Sequence, residues 1–175
     1  MMGMDKAKQL QSMIRVNQAG EFGAKRIYAG QLAIMGDRHP AARSISHMAE
    51  QEQRHLDAFD HSMAERGVRP TVFHPFWNVA GYALGAATAV LGPEAAMACT
   101  VAVETEIDLH YSEQLEELGD SEPELSAMIA DFRAEELEHK ATALEEGAER
   151  AFAYPVMSAV IRAGCRVAIA VSKRI

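Results

Sequence analysis

The stretch EFGAKRIYAGQL at residues 21–32 has a counterpart in ETEIDLHYSEQL at residues 104–115, and setting one against the other decides the fold. Glu21 is followed by Tyr28, Gln31 and Leu32; Glu104 is followed at the same distances by Tyr111, Gln114 and Leu115. Downstream of each lies a Glu-x-x-His, Glu52 with His55 in the first half and Glu136 with His139 in the second. The Glu-to-Glu separations of 31 and 32 residues suit a helical hairpin with a short loop. The chain therefore reads as one helix pair used twice.

Outward from these segments, every long element has helical punctuation. Leu10, Met13, Ile14, Ala24, Ile27, Leu32 and Ala33 recur near helical spacing over about Asp5 to Met35. His39-Pro40 opens a second helix, and Gly67 with Pro70 closes it near Arg66. Pro93 opens a helix to about Leu118, and Pro123 sits in the first turn of one ending near Ala151. Two further segments differ in character. Residues 71–92 are rich in Gly and Ala and lack Asp, Glu, Lys and Arg; residues 155–172 are mostly apolar and carry no charge apart from Arg162 and Arg166. No period-two alternation or hairpin turn signals a strand. The expectation is an all-α four-helix bundle with an internal two-fold repeat, plus two further apolar helices. It forms one domain over 1–175, with half-repeats at about 5–67 and 93–152.

Composition narrows the function. The 175 residues suffice for a real core without disulfide staples, and Cys99 and Cys165 show no Cys-x-x-Cys spacing, which points to a reducing compartment. Seventeen Lys and Arg against 25 Asp and Glu give a net charge of −8, which disfavours nucleic acid as a partner. No apolar signal sequence follows Met1.

The repeated residues suit a metal. A Glu and a His three apart share one helix face and can grip one ion together. Two such helices, with one Glu from each of two others, supply the ligand set of a carboxylate-bridged di-iron or di-manganese site. The six candidates are Glu21, Glu52, His55, Glu104, Glu136 and His139. Glu-x-x-His alone is a weak signal; the matched upstream Glu, Tyr, Gln and Leu are what chance does not give. The bland alternative is solvated acidic helix faces. Glu50, Glu106, Glu135 and Glu138 lack a repeated position and are expected at the surface, as are His47, His61 and His74 at surface or boundary. His110, beside Tyr111 on the Glu104 helix, is open between a structural role and hydrogen bonding to a ligand or carrying protons. Tyr28 and Tyr111 are open between core aromatics and the same supporting role.

Four segments carry a resemblance: NQAGEFGAKRIYAGQ at 17–31, EQRHL at 52–56, AMACTVAVE at 96–104 and FRAEELEH at 132–139. Together they resemble the demethoxyubiquinone hydroxylase family of ubiquinone biosynthesis, from about residue 8 to the C-terminus. The resemblance implies a ferritin-like bundle, with membrane-interacting apolar helices and two iron ions on the six residues above, Glu52 and Glu136 bridging, and His110 and Tyr111 as a pair close to the metals. It implies an oxygen-dependent monooxygenase that converts demethoxyubiquinol to demethylubiquinol. NADH or reduced quinone would supply electrons, although no dinucleotide fingerprint and no other cofactor-binding residue is evident.

A lipid substrate also accounts for the two apolar segments, which fit interfacial helices better than spanning ones. The expected location is peripheral, on the cytoplasmic face of a bacterial membrane, or on the matrix side of the mitochondrial inner membrane in a mature eukaryotic form. Expected partners are the membrane surface, a lipid-presenting accessory protein or other quinone-biosynthesis enzymes, and a second copy of the chain. Two other classes stay open: a ferritin-like iron- or peroxide-handling protein, and a non-catalytic membrane-associated helical module. The first does not need the uncharged segment, and the second leaves the symmetric carboxylates unexplained.

Overall fold

Prolines and glycines set the limits of the helices. A computed structural model describes residues 2–37 and 39–174, with side chains from Lys6 onward. Met1, Arg38 and Ile175, which the 1–175 reading includes, lie outside the described residues. The order is α1 (Met2–Met35), α2 (Pro40–Arg66), α3 (His74–Val90), α4 (Pro93–Leu118), α5 (Pro123–Glu145) and α6 (Tyr154–Ser172), with a 3-10 turn at Ala148–Arg150. The described residues contain no strand, so the fold is all-α.

Pro40, Pro93 and Pro123 each occupy a first-turn position, where the missing N–H costs nothing. The His39 side chain caps α2 by accepting from the Ala41 N–H at 3.2 Å, and Gly67 ends it in a left-handed conformation at φ 62°. The fifth helix is shorter than the sequence suggests. It stops at Glu145, not near Ala151, because Gly147 turns to φ 96° and the chain re-enters as the 3-10 turn around the buried Ala148.

Two compact units form, one of residues up to Ala87 with those from Val167 onward, the other Thr88–Arg166. In the first, α1 and α2 are an antiparallel pair whose register is marked by Gln18 donating to Asp60 at 3.0 Å and Lys25 donating to Gln53. Ile14, Ile45, Met48 and Phe59 are fully buried there. In the second, α4 and α5 are likewise antiparallel, and Arg133 donates to Asp108 at 2.6 Å. Alanines 96, 98 and 102 of α4, with Ile129 and Phe132 of α5, are buried.

Each hairpin carries a third, apolar helix. α3 runs parallel to α1: Phe22 stacks on His74 at 3.8 Å, and Arg26 lies over the Tyr82 ring at 5.1 Å. Glycines let the two backbones touch. A Cβ on Gly85 would lie 1.9 Å from the Ile27 carbonyl oxygen, and one on Gly30 would lie 2.1 Å from that of Tyr82. In the other unit, Arg162 and Arg166 of α6 both donate to Glu106 of α4, at 2.6 and 2.9 Å. Gly23 and Ile27 occupy in the first repeat the places of Glu106 and His110 in the second. The repeat therefore extends to a third helix on the same side of the ligand-bearing one.

Gly85→Ala should lower stability by about 1–3 kcal/mol, since backbone must move to admit the methyl group. Gly20→Ala, where a Cβ meets nothing within 4 Å, should be neutral or stabilising by about 0.5–1 kcal/mol. Thermal melts of both variants check the contrast.

Candidate metal centre

Each hairpin builds one half of a ligand set. In the first unit α1 brings Glu21 beside the Glu52 and His55 face of α2. The Nδ1 of His55 lies 3.3 Å from Glu21 Oε2 and 3.9 Å from Glu52 Oε2. In the second, α4 brings Glu104 beside Glu136 and His139 of α5. The Nδ1 of His139 lies 3.1 Å from Glu136 Oε2 and 3.9 Å from Glu104 Oε1. In each triad, one ligand atom per residue lies within 4.8 Å of the others. None of the six side chains is more than 2% exposed.

The donor set fits a divalent metal. Two carboxylates removed from water in each half cost several kcal/mol per ion unless a counter-charge is present. A divalent cation balances two carboxylates, and imidazole nitrogen and carboxylate oxygen are the donors that iron or manganese accepts. The residues at 21, 52 and 55, and at 104, 136 and 139, would hold it.

The remaining candidates divide. Glu50, His47, His61 and Glu138 are exposed, as expected, and Glu135 is half-buried. His74 is half-buried against Phe22. Glu106 overturns its surface expectation: it is 5% exposed and neutralised by two guanidinium groups. Its missing signal was Arg162 and Arg166, four residues apart on a helix 56 residues away. Tyr28 is buried, its hydroxyl 3.9 Å from the Met48 sulfur. Tyr111 is buried, and its ring centroid stands 6.5 Å from that of His110, itself 8% exposed. Gln114, noticed in the sequence only as part of the repeat, contacts the His110 ring at 2.7 Å. The i, i+4 spacing of the two residues was the available clue. Burial pushes the Cys99 thiol up to about 12, so it is neither a thiolate ligand nor a nucleophile at neutral pH.

Residues 8–172 match the model of the family described as ubiquinone biosynthesis protein COQ7. The chain belongs to the COQ7 family. Among its relatives, the 3-demethoxyubiquinol 3-hydroxylase of Rhodospirillum rubrum is 51% identical over 169 residues, covering 97% of this chain and 80% of the relative. The human NADPH-dependent 3-demethoxyubiquinone 3-hydroxylase, mitochondrial, is 52% identical over 167 residues, covering 93% and 76%. The Saccharomyces cerevisiae 5-demethoxyubiquinone hydroxylase, mitochondrial, is 41% identical over 182 residues, covering 95% and 78%. The COQ7 match includes all six triad residues, together with His110 and Tyr111.

Glu104→Ala and His139→Ala should each lower the capacity for added divalent metal to half or less while leaving far-UV helicity largely intact, because the apolar core is unchanged. Metal analysis and circular dichroism on the same samples check this. Cys99 should resist thiol reagents in native protein at pH 8, where a pKa of about 12 leaves a thiolate fraction on the order of 10⁻⁴, and should react upon unfolding.

Proposed function

We propose that the two triads close into one di-iron centre, inside a single ferritin-like four-helix bundle over residues 1–175, and that this centre hydroxylates a quinol ring with O2. The chain is an enzyme of ubiquinone biosynthesis, a demethoxyubiquinol hydroxylase. The observation that carries the metal reading is the pair of buried triads, each with two carboxylates and an imidazole nitrogen within 4.8 Å. Glu21, Glu52, His55, Glu104, Glu136 and His139 would hold the irons.

The balance of the reaction states what the protein must supply. A ring C–H becomes C–OH with one atom of O2, the other atom leaves as water, and two electrons and two protons are consumed. The irons, when bound, supply the activation of oxygen. The chain's own residues hold them, exclude water from the carboxylates, and bring protons. His110 and Tyr111, adjacent and buried on the helix of Glu104, are the residues we assign to that last role. The electrons come from a reduced nicotinamide nucleotide, directly or through reduced quinone; the name of the human relative specifies NADPH.

A polyisoprenoid tail needs an apolar route. α6 is long and apolar enough to cross a membrane by length and composition, and only 11% of its apolar window is buried. Val156, Val160 and Val167 of α6 and Phe76 and Val79 of α3 are each more than half exposed. We read both helices as lying in a membrane surface, on the cytoplasmic face in a bacterium or the matrix face in a mitochondrion, with their apolar sides in lipid. An accessory lipid-presenting protein and a second copy of the chain would bind at the same apolar sides.

Iron-loaded protein given a demethoxyubiquinol, reductant and ¹⁸O2 should bind two irons per chain and yield a product heavier by one ¹⁸O atom. Iron accumulation or peroxide consumption without ring product would favour the storage or peroxide-handling reading. Val160→Asp should weaken liposome co-sedimentation, and should slow turnover of a long-tailed substrate more than that of a short-tailed one, with iron content unchanged. Equal losses for both substrates would place its effect in packing.

A further inference from the structure

The repeat is broken where it matters for protons. Six residues beyond the first glutamate stands Ile27, which has no titratable group; six beyond Glu104 stands His110. Four residues later both halves carry a buried glutamine, Gln31 at 0% and Gln114 at 3% exposure. Only in the second half does that glutamine have an imidazole one helical turn away. The Gln114 side-chain nitrogen lies 2.7 Å from His110 Nε2.

An amide nitrogen can only donate, so the imidazole nitrogen facing it must accept. The neutral ring then carries its proton on Nδ1. A buried hydrogen bond of this kind fixes both the tautomer and the rotation of the ring, as outer partners do for histidines at metal centres.

We propose that Gln114 is a positioning residue that holds His110 as the Nδ1–H tautomer, so that proton delivery to the centre is one-sided and belongs to the second repeat. The proposal rests on the reading of His110 as a proton carrier. Gln114 never touches substrate or metal in this scheme; it sets which ring atom gives up and recovers the proton. Gln31, its repeat counterpart, faces Ile27 in place of an imidazole and so has no ring to position.

The test is a double-mutant cycle on iron-loaded enzyme with Gln114→Met, His110→Phe and the pair, and with Gln31→Met as the repeat-related control. Gln114→Met should lower kcat about tenfold, in the range seen for outer partners of metal-site residues, with KM within about twofold and iron content unchanged. In the His110→Phe background the same change should cost no further turnover. Melting temperatures of the four proteins should show the same coupling, the pair losing less than the two single losses combined. Gln31→Met should lower the melting temperature while leaving kcat within about twofold.

Three outcomes would overturn the proposal: normal kcat in Gln114→Met, losses at 110 and 114 that multiply, or uncoupled melting temperatures. Wild-type turnover in His110→Phe would overturn it too, by removing the proton-carrier reading beneath it. That failure is told apart because it appears in the single His110 variant.

Discussion

Removing a carboxylate from water costs several kcal/mol, and each hairpin does it twice around a single imidazole. That constraint dictates most of what surrounds the triads. The ligands come from regular helices, whose backbone satisfies its own hydrogen bonds at such depth. The paired helices must keep register within a fraction of a turn, or the upstream glutamate misses the Glu-x-x-His face. Gln18 with Asp60 and Lys25 with Gln53 hold that register in one unit, and Asp108 with Arg133 holds it in the other. These polar pairs lie to either side of Glu21 and beyond Glu104, where they align the helices without competing for the ligands.

Duplication supplied two equivalent scaffolds, and the two were then used differently. On α1 the positions after the ligand are Gly23 and Ile27, and they give α3 a close backbone approach. On α4 the same positions are Glu106 and His110, one neutralised by α6 and the other held by Gln114. A glycine contact and an ion triad around the buried Glu106 do the same mechanical job of seating a third helix. They differ in what they leave nearby: apolar backbone in one repeat, and charge and a titratable ring in the other.

The third helices share a further property. Both leave branched and aromatic side chains in the open, Val156, Val160 and Val167 on α6 and Phe76 and Val79 on α3. On α6, Arg162 and Arg166 share the single carboxylate of Glu106, so one positive charge is left over, and the Arg166 side chain stays 56% exposed. Exposed apolar side chains on both helices are what the proposed lipid route requires.

The sequence by itself determined the helices, their prolines and glycine stops, the duplication and the six ligand candidates, because all of these are local or periodic. A proline fixes its own φ, and a Glu and His three apart share a face whatever packs beside them. It also determined family membership, since matched segments run along nearly the whole chain. Tertiary structure decided the rest. Glu106 reads as a surface acid until α6, far along the chain, places two guanidinium groups on it. Gln114 reads as a repeat marker until the rotamers of two side chains bring its amide to an imidazole. The early stop of α5 likewise depends on how Gly147 and the buried Ala148 pack. Burial and pairing arise from contacts between residues distant in sequence, and no local pattern encodes which partner arrives.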